Sequence, residues 1–548
     1  MSVEAQVPNI AFGQNRVQYK DFDFQYYTAD HFTIYFYPGG QDLGKYVVKH
    51  AEDFYEELAL KLDVKVKGKI DLIVYNTLED LNQTNIGIYS PEQNGAGEAK
   101  LTNNKIFVYF NGSHEHLDQQ LKEGIARVMG VRALSGRNRE TRFYRNLPDW
   151  FNDGLSLYFS KKWDGTDESI LRDGITSGRY SALYKLTPEQ GVQFGHAIWH
   201  YIEERYGKTA VSNVVYLTRL NKSTEYGFQF ALGLNTNELL VQWFEFYKKR
   251  YANESLQTLS MRAKDEVNFK QKKETSYYHP RVSAGGKYIA YAANTYGKVS
   301  IYLLNTETES CKTIFKYGWK TRTLHTDQQM PLLAFTPRGD KLSVIYTKRG
   351  VNRMLHYTIE DKKKEKVRIE KFQKVSSMNY SLDGKSLVLS AIQKGQSDIY
   401  LYKLPSTTIT QITDDYFDDF DPAEVQLGDK RGIIFASNRV SDTLIKQRYE
   451  TQTFDKQKDL FFFNLETNEL YQVTNTPQIS EHSPLPYSAE KYQFLSDQNG
   501  ITNIHTGYLD TIFSHNQITY FLTEKETNES TFASFPDNYN FYSVSLRS

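Results

Sequence analysis

The chain has 548 residues, with 66 Lys+Arg against 66 Asp+Glu, which is more than one ordinary core fills and predicts two or three domains. The neutral balance offers no electrostatic footprint for nucleic acid or anionic lipid. No stretch approaches the roughly 18 apolar residues of a spanning helix, and the single Cys311 excludes an intramolecular disulfide and any multi-cysteine metal site.

The first residues, MSVEAQVPNIAFGQ, lack the basic and apolar regions of a signal peptide. They read as a mature or engineered start whose signal peptide is gone, with Ala5–Gln6 resembling a cleavage junction. His31–Tyr37, Lys69–Tyr75 and Lys105–Phe110 have the apolar, β-branched character of strands. Between the first two, Val47, Val48, Ala51, Phe54, Tyr55 and Leu58 recur at helical spacing within Asp42–Leu62. Amphipathic helices follow at Pro188–Tyr206, Ala210–Asn221 and Asn235–Tyr251. A sheet followed by helices is α+β grammar, assigned here to residues 1–265.

Within that region, LKEGIARVMG (Leu121–Gly130) and LPDWFNDGLSLYFS (Leu147–Ser160) have the frame of a zinc-peptidase helix pair without its ligands. Zinc hydrolysis needs two histidines one turn apart, a glutamate beside the first as general base, and a further carboxylate. Those slots hold Glu123, Gly124, Arg127 and Asp153. Arginine carries only donors and a permanent charge, and glycine removes the base. An ion pair between Glu123 and Arg127, four residues apart, is expected, with Asp153 as a third member. Neither a metal nor a cofactor is expected.

Residues 266–548 change grammar. A turn of the type Asp/Gly-Gly-Lys followed by an apolar strand recurs as SAGGKYIAYA, TPRGDKLSVIY, SLDGKSLVLSA, LGDKRGIIFAS and SAEKYQFLSD. The turn lysines at 287, 341, 385, 430 and 491 lie 54, 44, 45 and 61 residues apart. A strand-only repeat of this length signals a β-propeller. Five blades are evident, and residues from about Ile518 suggest a sixth or part of one. The expectation is a ring of about six blades, or one cut before a longer natural end. Two charge runs, Asp361–Lys366 and Asp414–Asp421, read as solvated connections.

The blade motifs HPRVSAGGKYIAYA, MNYSLDGKSLVLSA with DIYLYKL, and DPAEVQLGDKRGIIFAS resemble the TolB and dipeptidyl-peptidase-IV N-terminal propellers. The first 260 residues resemble peptidase-MA-like gluzincins through LPDWFNDGLSLYFS and GVQFGHAIWHYIEERYGKTAV. The combination resembles large exported envelope proteins of Gram-negative bacteria. That resemblance implies a zincin-like domain, an extracytoplasmic location (periplasmic or associated with the outer membrane), and an accessory role with a protein partner. An outer-membrane export or assembly complex and an exported polypeptide are the partners it suggests.

Three rival sites stand beside this reading. His196 and His200 have metal-capable spacing, but Ala197 stands where a base would be, and packed core histidines are the plainer account. His114 and His116 flank Glu115 in what reads as a polar turn. The aspartates of 414–421 lack the glycine and terminal glutamate of a calcium loop. No Gly-x-Ser-x-Gly elbow and no Walker loop is present. The resulting expectation is a non-catalytic protein-binding or scaffolding component of the envelope. A metallopeptidase with unorthodox ligands and a glycan-binding propeller are the alternatives.

Overall fold

The structure, a computed structural model, describes residues 17–84, 99–100, 105–135, 147–181, 186–252, 272, 274–320, 327–404, 406–440, 442, 444, 457–476, 479–498, 502–514 and 517–526. The first module carries β1 (Gln25–Thr28), β2 (Phe32–Phe36), α1 (Gln41–Leu62), β3 (Ile70–Tyr75), the single turn α2 (Leu78–Leu81), β4 (Ala99–Lys100) and β5 (Lys105–Tyr109). Its sheet runs β1-β2-β3-β5-β4, with β2, β3 and β5 parallel. The central strand β3, IDLIVY, is buried on nearly every side chain, as a parallel strand covered on both faces must be. Leu43, Val47, Ala51, Phe54 and Leu58 of α1 pack on this sheet together with Leu117, Leu121, Ile125 and Val128 of α3 (His114–Ser135).

A helical layer follows: α4 (Asp149–Ser160), α5 (Gly165–Thr176), α6 (Pro188–Tyr206), α7 (Lys208–Asn221), α8 (Thr224–Leu232) and α9 (Thr236–Ala252). Its core is aromatic, centred on Phe151, Phe194, Trp199, Phe228 and Trp243. The start of α6 is set by Thr187, whose hydroxyl accepts from Gln190 N while the Gln190 side chain reaches back to the Thr187 N–H.

Helices α4 and α6 touch backbone to backbone at two glycines. A Cβ on Gly195 would lie 1.9 Å from the Trp150 carbonyl oxygen, and one on Gly154 would lie 2.6 Å from the Gly195 backbone. Gly195→Ala is therefore expected to destabilise the protein by about 3 kcal/mol, because backbone must move. Gly191→Ala, one turn earlier and with nothing within 4 Å, should be neutral or stabilising by about 0.5 kcal/mol. Urea midpoints of the two variants check this contrast.

The 265/266 boundary lies outside the described residues; α9 ends at Ala252 and the first propeller strand begins at Ser276. Five four-stranded antiparallel sheets follow, each built of consecutive strands, over 276–317, 332–369, 374–411, 419–472 and 481–526. These are blades 1 to 5. Their innermost strands are Ser276–Val282, Leu332–Phe335, Lys374–Tyr380, Asp419–Leu427 and Glu481–Pro486. The recurring glycine turns work because a left-handed residue is needed there, as at Gly384 (φ 69°) and Gly428 (φ 63°).

The expected count of about six blades is corrected to five among the described residues. Gln517–Glu526, thought to open a sixth blade, pairs along the 12-residue strand Asn503–Ser514 and closes blade 5 as its fourth strand. Residues 527–548 lie outside the described set. No described helix is long and apolar enough to cross a membrane.

The two modules dock face to face. Leu43 of α1 seats on Gly395 of blade 3, where a Cβ would approach Leu43 Cγ to 2.7 Å. Gln373 Nε2 donates to the Gly39 carbonyl at 3.3 Å. Gly165, at the start of α5, lies against the Asp497 carboxylate of blade 5.

Candidate functional site

Glu123, Gly124 and Arg127 lie on α3, and Asp153 lies on the adjoining α4. Arg127 Nη2 donates to Glu123 Oε1 at 2.9 Å, and its Nε lies 3.6 Å from Asp153 Oδ1. Burial raises the pKa of both carboxyl groups, and the guanidinium only partly offsets it. The three charged side chains are mostly sheltered, and Gly124 is buried beside them. A guanidinium held between two carboxylates presents donors only, so Arg127 itself offers neither a metal ligand nor a base.

The acidic run departs from its expected solvated role. Asp361–Lys366 is exposed, but Asp415, Asp418 and Asp419 are buried, Asp421 is half-buried and Asp414 alone is exposed. Asp398, Asp415 and Asp419 are the one group of three potential ligands, among the described residues, close enough to share an ion. Arg439 occupies that neighbourhood instead. Its Nη2 donates to both Asp419 oxygens at 2.7 and 2.8 Å, and its Nη1 lies 3.2 Å from Asp415 Oδ2. Burial and the neighbouring carboxylates push Asp415 up to about 7 and Asp398 well above the usual carboxylate range.

Asp418 serves the other module. Its oxygens accept from His114 N at 2.7 Å and meet His114 Nδ1 at 2.6 Å, while Asn438 Nδ2 holds it from behind at 3.0 Å. A propeller carboxylate thus caps the first turn of α3 across 304 residues of sequence. The expected polar turn at His114–His116 is therefore corrected: both residues lie within α3, and His114 is completely buried. His196 is also buried, and the indole of Trp163 packs against both its ring (centroids 5.1 Å apart) and that of His200 (4.2 Å, stacked).

The docked modules form between them a partly open cavity of about 490 Å³. All five innermost propeller strands line one side, and the starts of α3 and α5 line the other. Its chemistry concentrates in His116, His279, Arg281, Asp421, Lys458 and His482. Blades 1, 4 and 5 build this lining in the same way. Their innermost strands bulge between Tyr278 and Arg281, Phe420 and Ala423, and His482 and Leu485. In each bulge the residue before a proline is left-handed: His279 (φ 52°), Asp421 (φ 48°) and Ser483 (φ 55°). Such backbone costs roughly 1–3 kcal/mol per residue and gathers where function requires it.

The imidazole tautomers follow from their partners. Tyr109 N donates to Gln120 Oε1, so Gln120 Nε2 is the donor to His116 Nδ1 at 2.8 Å, and His116 carries its proton on Nε2. His279 Nδ1 donates to the Pro331 carbonyl at 2.9 Å. Ser483 Oγ donates to Asp421 Oδ2 and so accepts from His482 Nδ1 at 3.0 Å. His279 and His482 therefore each keep Nε2 as an acceptor. Burial pushes all three imidazoles down to about 4, so they are neutral near pH 7.

For a histidine depressed from about 6.5, the unfolded chain binds the proton first. Its stabilising contribution is full above pH 6.5 and is lost as pH falls toward 4. His279→Gln, which keeps a donor for Pro331, should thus lose about 3 kcal/mol less than the parent between pH 7 and pH 4. Denaturant titrations at the two pH values measure the difference.

His279 and His482 went unnoticed in the sequence and Asp421 was read only as part of the acidic run, although the dipeptides His279-Pro280, Asp421-Pro422 and Ser483-Pro484 recur at one blade position. Arg439 carried no sequence signal. No family model and no curated protein matches the chain. Among solved structures, TolB from Acinetobacter baumannii aligns with 14% identity and a TM-score of 0.33, over 42% of this chain and 52% of its own. The β-propeller domain of the Trilobed protease from Pyrococcus furiosus aligns with 9% identity and a TM-score of 0.29, over 48% of this chain and 98% of its own. The match thus spans about half the length of that TolB. At such scores the propeller assignment rests on the five sheets themselves.

Proposed function

We propose that the chain is a non-catalytic, protein-binding scaffold of the bacterial cell envelope, in which an inactivated zincin-like module is joined to a propeller. The observation that carries the reading is Arg127, standing between Glu123 and Asp153 where a zinc peptidase would need ligands. The packing of Trp163 against both His196 and His200 supports reading that pair as core histidines over the metallopeptidase alternative. Extracytoplasmic location and an accessory role in an outer-membrane complex belong to this proposal through the family resemblance.

A protein partner is favoured by an aromatic surface on α7 and α8. Tyr216, Leu220, Tyr226 and Phe230 are each more than half exposed, and the Tyr226 and Phe230 rings stack with centroids 5.9 Å apart. Clustered exposed aromatics of this kind anchor protein interfaces. The test places a photo-crosslinking residue at Phe230 of the full chain in a Gram-negative host, with Lys363 as control, and assays the purified protein on a peptide library. A discrete adduct at Phe230 alone, without cleavage, is expected. Chelator-sensitive cleavage, or no adduct, overturns the proposal.

A further inference from the structure

We infer that the inter-module cavity is a binding site for a small zwitterion, an amino acid or short peptide read by its ammonium and carboxylate groups. The inference is independent of the scaffold reading, since it uses none of the α3–α4 ion cluster or the α7–α8 surface. It starts from two charges left without partners. Among the described residues, Asp421 has no cation within ion-pair distance and accepts only from Ser483. Lys458 likewise has no carboxylate partner and lies over the Phe420 ring at 4.5 Å. Of the other charged lining residues, Lys161 bonds Asp164 at 2.9 Å and also Asp167 at 2.8 Å, and Arg281 Nε bonds the Leu333 carbonyl.

The neutral groups sort themselves to match. His279 Nε2 and His482 Nε2 are acceptors with no protein partner among the described residues, and with the Asp421 carboxylate they make three acceptors. An alkylammonium has three N–H donors to meet them. The donors among the lining groups are Lys458, the His116 Nε2–H and the Arg281 guanidinium, whose Nε is anchored on the Leu333 carbonyl at 3.1 Å. A carboxylate is the group such donors take. At about 490 Å³ the cavity falls in the size range of small-ligand sites. The left-handed residues His279, Asp421 and Ser483 give the strained backbone of blades 1, 4 and 5 a purpose, since each bulge turns part of the acceptor set into the cavity.

The probes are the twenty free amino acids, trialanine, N-acetyl-trialanine and trialanine amide, titrated calorimetrically into the full chain at pH 7. Saturable binding of at least one free amino acid or of trialanine is expected, weakened at least tenfold by His482→Ala and by Asp421→Asn and unchanged by Lys363→Ala. A free amino acid that binds where trialanine does not assigns the site to metabolites, and the reverse assigns it to peptide ends. For a trialanine binder, the acetylated and amidated forms should each lose at least tenfold. Circular dichroism checks that the variants fold, and His482→Gln replaces any that does not. Silence from all free-ended probes overturns the inference, as does binding that tolerates N-acetylation or ignores the His482 and Asp421 substitutions.

Discussion

Arg439→Met is expected to lower the stability of the protein by about 3–5 kcal/mol at pH 8, the largest single effect predicted here. The guanidinium is completely buried and bridges Asp419 and Asp415, with Asp398 beside them. Phe417, Phe435 and Phe461 surround it with ring centroids 5.4–5.6 Å away, so no water replaces its charge. Methionine fills much of the volume but leaves the carboxylates uncompensated. The loss should therefore depend on pH. Carboxyl groups whose folded pKa stands above the unfolded value favour the protonated folded state, and their penalty grows as pH rises from about 4 through the folded pKa. Asp415 already stands at about 7 beside the arginine, and removing the cation moves it higher. The deficit should thus shrink at pH 5, and urea unfolding at the two pH values is the check. An equal deficit at both would mean that packing, and not charge, is what Arg439 supplies.

Asp418→Ala should separate the two modules. One carboxylate caps α3, meets the buried His114 ring and is held by Asn438, so its removal takes the Asp418 acceptors from His114 N and Nδ1 in a buried interface. Removing a buried donor's acceptor costs about 1–3 kcal/mol, and two are removed here together. The parent should unfold in one calorimetric transition with the modules coupled. The variant should show two, with new protease sensitivity between Ala252 and Ser276. Retention of a single transition would show that the Leu43–Gly395 and Gln373–Gly39 contacts suffice to join the modules.

What was legible in the sequence was what local periodicity encodes. Helix Pro188–Tyr206 appears with the predicted bounds because Thr187, Pro188 and Gln190 spell out its start. The strands of β2, β3 and β5 fall where β-branched runs predicted them. Blades 1 to 4 follow the glycine–lysine turns, where a left-handed glycine closes the hairpin, and the blade 5 turn Ser488–Lys491 closes without one. What was illegible depends on partners far apart in the chain. Asp418 looks like a surface carboxylate until His114 arrives 304 residues away, and Asp415 and Asp419 look solvated until Arg439 folds back among them. Blade number failed for a related reason: Gln517–Glu526 has strand character either way, and only its pairing with Asn503–Ser514 assigns it to blade 5. The His279, Asp421 and His482 constellation exists only once three blades surround one axis, although His279 and Asp421 each precede a proline and His482 stands next to the pre-proline Ser483.

The scaffold proposal stands or falls with a guanidinium taking the place of a metal at Glu123, Arg127 and Asp153. The direct measurement is elemental analysis of the full chain after incubation with zinc and exhaustive dialysis. No zinc above trace is predicted for the parent protein. One zinc per chain, lost on Glu123→Gln or Asp153→Asn and accompanied by peptide hydrolysis, would contradict it.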